Sequence, residues 1–517
     1  MRELPLPSGN PIDTAAAVPP PESGGGRPMS VRSAALWAMG AQYVVFAATF
    51  VTSVLISRFF LVPAEVGLFG IALSAAMLVS IFQDFGITRY IAGQPSLDEG
   101  ELRTCFSVSM LFSLGIGLAI LALAWPAAAF YGDARLFPVF AVIAGSYLLA
   151  PLGIVPAAVL QRDMAFRALF VVNVAAAIAN AAVAIGLAWA GWSALSLAWA
   201  LVAQQAVRGL LGIRLSRRIP PFPLTLRGAR PVLRFGSGSS LLSLSGAIGM
   251  RSPELIIGRI LDFTAVGLFG RATALSGHLR LLVSGAIGGV FFPAFARLRD
   301  SGEDLAAPYL RVVSGYSAFT WPAMAFLAAA ATPLVLMLYG PTWAGVAPLL
   351  MWIALSEIPF TALPLHMEMP ILLGRMRRLV QLNFLDTLAS ISMLVIAAGW
   401  SLEWAAASRI GYGIAWYAIY AGTMRGLVGF RWSAMLGIYA RSLAVTAAAT
   451  APLLLVYWRL STPGEVDFLT LAGAAAAGGL LWLGTLFLVR HPARHEVTGL
   501  LEAVLASLPR GRRLSRG

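Results

Sequence analysis

Long apolar runs, each able to cross a bilayer, alternate along the 517-residue chain with short segments that hold most of its charge. A hydrocarbon core about 30 Å thick takes about 20 helical residues. Windows of that length predict six spans in the first half, over 33–58, 66–88, 104–130, 136–160, 167–190 and 192–213. Six more follow over 232–258, 264–297, 308–338, 345–372, 378–399 and 402–424, with a final pair over 437–458 and 468–489. The pattern predicts an all-α integral membrane protein of about 14 transmembrane helices.

The polar breaks repeat. Val66-Gly67-Leu68-Phe69-Gly70 returns as Val266-Gly267-Leu268-Phe269-Gly270, 200 residues later. Tyr131-Gly132 returns as Tyr339-Gly340 and Gly191-Trp192-Ser193 as Gly399-Trp400-Ser401, both at an offset of 208. Three echoes in the same order predict a duplication: a six-helix lobe over 31–214, a basic linker over 215–231, a second six-helix lobe over 232–425, and two extra helices over 437–490. An even span number makes both lobes enter the membrane from one side, so the repeats are parallel, related by an axis along the membrane normal.

Composition excludes a soluble globule, since 59% of residues are hydrophobic and only 12% charged. The net charge of +14 invites a nucleic-acid reading, but every one of the 37 basic residues is arginine and they lie between apolar runs, as juxtamembrane charges do. No nucleic-acid partner is expected. With the N-terminus inside, 29 of the 37 arginines fall in inner segments, among them Arg208 and Arg311 at span ends, and only Arg58, Arg135, Arg259 and Arg459 lie outside. Both termini are therefore expected in the cytoplasm.

Residues 1–30, rich in Pro and Gly, are expected to form a disordered cytoplasmic leader and lack the features of a signal peptide. At the other end, 491–517 reads as an amphipathic, basic cytoplasmic tail, with Val497, Leu500, Leu501, Val504, Leu505 and Leu508 at helical spacing before Arg510, Arg512, Arg513 and Arg516. His491 and His495 are four apart, but Pro492 interrupts them, and a solvated juxtamembrane pair is expected. A single cysteine, Cys105, excludes an intramolecular disulfide and a cysteine metal cage.

No catalytic residue, metal site or cofactor is expected, because no nucleophile-and-base pair or phosphate-binding loop is present. The chemistry lies in ionisable groups at bilayer depth, each costing on the order of 2.5 to 3.5 kcal/mol at a helix centre. Arg251 and Glu254 share a helix face, positioned either to neutralise one another or to meet a substrate. Arg271 and His278 share a face on the next helix, Arg280 points away from them, and no acid lies one turn from Arg271. Arg251, Arg271, Arg280 and Arg409 are the candidates for a cationic substrate cavity, suited to a diphosphate through their forked donors. Glu254, His278, Glu357 and Asp386 are the candidates for a coupling ion or proton relay, with Glu357 foremost because Pro359 and Pro364 interrupt its span. Asp84 and Glu368 lie nearer span ends, where reaching to interfacial water accounts for them.

One stretch resembles a known family. Pro253-Glu254-Leu255-Ile256-Ile257-Gly258-Arg259, then Val266 to Ala272, then Phe292-Pro293-Ala294-Phe295-Ala296-Arg297-Leu298, is similar to Wzx-type oligosaccharide and polysaccharide flippases. These form the polysaccharide branch of the superfamily that also holds multidrug exporters and peptidoglycan-lipid flippases. Glu254 stands where the family commonly has aspartate, and Arg251 matches no family position. The resemblance implies a bacterial inner-membrane flippase for polyprenyl-diphosphate-linked oligosaccharide, feeding exopolysaccharide, capsule or O-antigen assembly. It further implies alternating access by two lobes, an H+ or Na+ gradient as drive, and membrane lipids and a glycan polymerase as partners. The alternatives are a multidrug or cation antiporter and a peptidoglycan-lipid flippase of the same fold, a scaffold for polysaccharide enzymes, or a glycan polymerase or ligase, which the short outer loops disfavour.

Overall fold

The computed structural model describes residues 31–83, 86–94, 97–217, 224–227, 229–459 and 462–499. The leader, the middle of the linker, Asp84 and the tail beyond residue 499 lie outside them. Among the described residues every regular element is helical. In the first half these are α1 (Val31–Phe59), α2 (Pro63–Val79), α3 (Ile87–Gly93), α4 (Glu99–Tyr131), α5 (Leu136–Arg162), α6 (Phe166–Trp189) and α7 (Ala194–Ser216). The second half has α8 (Ala229–Ile260), α9 (Phe263–Asp300), α10 (Ala306–Ala329), α11 (Ala331–Tyr339), α12 (Val346–Ala362), α13 (Glu368–Leu372), α14 (Met376–Ala398) and α15 (Leu402–Val428), followed by α16 (Trp432–Arg459) and α17 (Phe468–Leu488).

Nine helices among the described residues are long and apolar enough to cross a membrane: α1, α4, α5, α6, α7, α10, α14, α16 and α17. This is a multi-pass membrane protein. Helices α2 and α12 are apolar but have only 17 residues each. Helices α8, α9 and α15 are 32, 38 and 27 residues long and are interrupted by arginines and small polar residues.

Three predicted spans are broken, each for a local reason. The span expected over 66–88 ends at Val79, passes through a 3-10 turn and restarts at α3 after Gly86, whose φ of 69° favours glycine. The span over 308–338 divides at Ala330, where Pro333 supplies no amide to continue the upstream ladder. The span over 345–372 stops at Ala362, since Pro364 drives Leu363 out of helical geometry to φ −118°, ψ 75°.

In the first half α5 packs between α4 and α7, α7 on α6, α6 on α1, and α2 on α5. The second half has the same neighbours in the same order: α12 between α10 and α15, α15 on α14, α14 on α8, and α9 on α12. Helix α16 covers α10, and α17 covers α16.

The halves meet most closely along α2 and α9. A Cβ at Gly67 would collide with the Phe263 carbonyl, and a Cβ at Gly267 with that of Pro63, the first residues of the opposing helices. The two Val-Gly-Leu-Phe-Gly copies thus cross reciprocally at their first glycines. Helices surrounded by lipid gain little from apolar burial and associate through such close packing of small residues. Leu68, Ile71 and Ala72 together with Val266, Phe269 and Ala272 are at most 2% exposed along this seam.

Candidate functional site

One turn beyond the crossing glycines, the two copies part in chemistry. In the first, Ile71 is fully buried and its side chain fills the space that a Cβ at Gly258 would occupy, so α2 closes on α8. In the second, the equivalent position is Arg271, directed at α1. Its Nη1 donates to Ser53 Oγ, and its guanidinium lies 5.6 Å from the centre of the Trp343 ring. The Tyr339 hydroxyl also bonds Ser53. Arg271 Nε is buried without a hydrogen-bond partner, and among the described residues no carboxylate pairs with this guanidinium.

A cavity of about 270 Å³ lies beside it, bounded by α1, α2, α6, α7, α8 and α9. Its polar lining includes Ser53, Ser74, Asn180, Arg251, Glu254 and Arg271. Arg251 and Glu254 share this wall, as their spacing predicts. No ion pair joins them among the described residues, and Glu254 Oε2 is buried without a partner. The wall therefore presents two cationic groups and one carboxylate, none of them in an ion pair among the described residues.

The remaining candidates lie elsewhere. His278 shares the α1-facing side of α9 with Arg271, but its ring packs edge-on against Phe46 and Phe50, with centroids 5.0 and 5.8 Å away. Arg280 points the other way, as its spacing predicts, and its Nε is 3.3 Å from Glu357 Oε2. Arg409 Nη2 approaches the other Glu357 oxygen at 4.0 Å, while its guanidinium lies over Phe360. The Phe360 ring is 5.1 Å from that of Tyr412, whose hydroxyl donates to Asp386 Oδ1 at 2.8 Å. Glu357, Arg280, Arg409 and Asp386 thus form a second cluster inside the second half. Glu357, the foremost candidate for a coupling ion, is flanked by two arginines, because α9 and α15 both pack on α12.

The histidine expectation fails for His491, whereas His495 is exposed. His491 is fully buried, and its Nδ1 accepts from the Ala493 amide at 3.1 Å, which leaves the proton on Nε2. Nε2 lies 2.9 Å from Ser442 Oγ, which donates to Ser317 Oγ at 2.8 Å, which donates to the Val313 carbonyl at 2.8 Å. Pro492 turns the chain so that His491 plugs the α10–α16 seam instead of joining His495 on a helix face. Burial and the nearby Arg441 push its pKa down to about 4.

Sequence reasoning missed the partners of Arg271, for which no local signal exists. It also counted Arg208 among the inner span ends. Arg208 lies in the wall of a cavity of about 520 Å³ inside the first half, with Nε buried and unpartnered. Gln204 and Gln205, one turn before it, were the available sign that this face of α7 is polar inside the bundle.

Known proteins are similar to this chain in sequence or in fold. The chain is 26% identical over 328 residues to the succinoglycan biosynthesis transport protein ExoT of Rhizobium meliloti (strain 1021), covering 62% of this chain and 65% of that one. It is 22% identical over 320 residues to the lipopolysaccharide biosynthesis protein WzxC of Escherichia coli (strain K12), again covering 62% and 65%. The chain thus spans just under two thirds of the length of each relative. In fold it is similar to the lipid II flippase MurJ in an inward closed conformation, at TM-score 0.66 and 13% identity over 89% of this chain and 99% of that one. A multidrug resistance MATE family transporter of the MOP superfamily in an inward-facing conformation matches at TM-score 0.52 and 15% identity, covering 76% and 98%. Residues 55–348, more than half of the chain and the whole of the glycine crossing, match the model of one family, and the chain belongs to it: the polysaccharide biosynthesis protein family.

Proposed function

We propose that this protein is a bacterial inner-membrane flippase that carries polyprenyl-diphosphate-linked oligosaccharide for exopolysaccharide, capsule or O-antigen synthesis. Two parallel lobes of six spans each, built from α1–α7 and α8–α15, rock about the α2–α9 crossing within a frame of 14 spans that has both termini in the cytoplasm. The observation that carries this reading is Arg271, a buried cation bonded to a hydroxyl and an indole face, with which no acid forms an ion pair among the described residues. A charge in low dielectric stays costly until paired. A diphosphate entering beside Arg271 and Arg251 supplies the missing countercharge and accepts the fork of donors that a guanidinium offers.

ExoT is a succinoglycan biosynthesis transport protein and WzxC a lipopolysaccharide biosynthesis protein, and both support a saccharide cargo. A multidrug or cation antiporter would need a cavity of opposite sign. For the coupling ion, H+ or Na+, we favour Glu254, which lines the cargo cavity and has a buried, unpartnered oxygen, ahead of Asp386, held by Tyr412, and Glu357, held by two arginines. A glycan polymerase is the expected downstream partner.

Depleting the protein is the direct test. Lipid-linked oligosaccharide should accumulate on the cytoplasmic leaflet, and a normal leaflet distribution would sink the flippase reading. Accumulation of the peptidoglycan precursor instead would move the protein to peptidoglycan-lipid transport, which the fold likeness to MurJ also accommodates.

A further inference from the structure

The cavity beside Arg208 lies between α1, α3, α5, α6 and α7, within the first lobe and apart from the seam between the lobes. Three features mark it as a place for an anion. Among the described residues its polar lining consists of Gln42, Thr88, Gln161, Asn173 and Arg208, so amides, a hydroxyl and a guanidinium face it and none of these is a carboxylate. Arg208 Nε is buried without a partner, and no acid pairs with this arginine among the described residues. The arginine is also seated by shape, since a Cβ at Gly153 would lie 2.9 Å from Arg208 Cγ. A stem packed into a glycine notch holds the guanidinium in the bundle rather than letting it reach for water.

Position relates this cavity to the one beside Arg271. On α1, Gln42 lines the first and Thr49 the second. On α6 the pair is Asn173 and Asn180, and on α7 it is Arg208 and Leu197. Spacings of seven, seven and eleven residues return to the same helix face. One continuous seam of α1, α6 and α7 thus lines both cavities, and between them Asn180 donates to Gln204 at 3.3 Å. The Arg208 cavity lies toward the end of α7 that leads into the linker.

We propose that Arg208 is the centre of a second anion site, taking a phosphate or diphosphate group in the cytoplasmic half of the first lobe, and that this site loads the central cavity. The loading role rests on the proposed flippase function, whereas anion binding at Arg208 does not.

The test uses the full chain in phosphatidylcholine nanodiscs, titrated calorimetrically with inorganic pyrophosphate in an Arg271→Gln background that weakens the central site. Arg208→Gln should lower the affinity by about tenfold or more, the loss expected for a charge-assisted hydrogen bond, and Arg208→Lys should retain part of it. Ala157→Phe, which fills the cavity from α5 and leaves the arginine in place, should act like Arg208→Gln and decides the matter if that variant does not fold. Unchanged titrations in Arg208→Gln and Ala157→Phe overturn the proposal. Competition then identifies the source of the anion. Displacement of pyrophosphate by a short-chain polyprenyl diphosphate supports loading, whereas displacement by phosphatidylglycerol alone keeps the site and overturns the loading role. Failure of the flippase reading shows separately, as normal leaflet distribution in depleted cells with the Arg208 effect intact.

Discussion

Arg271 carries its charge into the interior on one hydroxyl and one indole face. Its removal should therefore affect stability and transport in opposite directions. Arg271→Met should abolish glycan export while the purified protein inserts normally and unfolds at an unchanged or higher temperature, because an uncompensated buried charge has been deleted. A lowered unfolding temperature would make the arginine a structural element. His491 belongs to the same scale. Its folded-state pKa of about 4 lies below the ordinary 6.5, so protons bind the unfolded state first as pH falls. Its contribution is fully present above about pH 6.5 and is lost progressively as pH falls towards 4. His491→Gln should flatten that part of the stability profile measured by thermal unfolding. The sequence identified Arg271 as lacking a nearby acid because i±4 neighbours are visible in a string of letters. It placed His491 in solvent because Ser442, 49 positions away, is not.

Among the elements, the α2–α9 crossing makes the sharpest demand on side-chain size. Gly67→Ala and Gly267→Ala each force a methyl into the opposing backbone carbonyl, a strain of about 1 to 3 kcal/mol, and should lower the unfolding temperature. Gly270→Ala should leave it unchanged, since nothing lies within 4 Å of a Cβ there. Equal effects at all three positions would mean that helix propensity, not the crossing, governs them. The repeat was legible as a string, and so was the substitution of Arg271 for Ile71. Its consequence was not legible: Ile71 reaches Gly258 and seals α2 against α8, whereas Arg271 reaches Ser53 and leaves a polar cavity beside α1.

For the molecule as a whole, the proposed rocking of two lobes requires this cavity to widen and narrow in each cycle. Cysteines at Thr49 and Gly270, both lining it, joined by a short bifunctional maleimide in a Cys105→Ser background, should arrest export. A cleavable linker should restore export on cleavage. Full export with the bridge in place would exclude movement of α1 against α9 as part of the cycle. The broken helices show how far span prediction reaches. Hydropathy treated 66–88, 308–338 and 345–372 as single apolar runs. Gly86, Pro333 and Pro364 interrupt them through backbone geometry, to which a hydropathy average is blind.

By itself the sequence determined the membrane class, the helical content, the duplicated motif and the presence of charges within apolar runs, because each depends on composition or on short strings of residues. The tertiary structure alone decided which of those charges are neutralised. Glu357 meets Arg280 and Arg409, Asp386 meets Tyr412, and Arg271 meets Ser53 across 218 residues of chain. Pairing at such separations is set by which helix faces pack together, and a lipid-facing stripe and a cavity-facing stripe can be equally apolar until the neighbouring helix is in place.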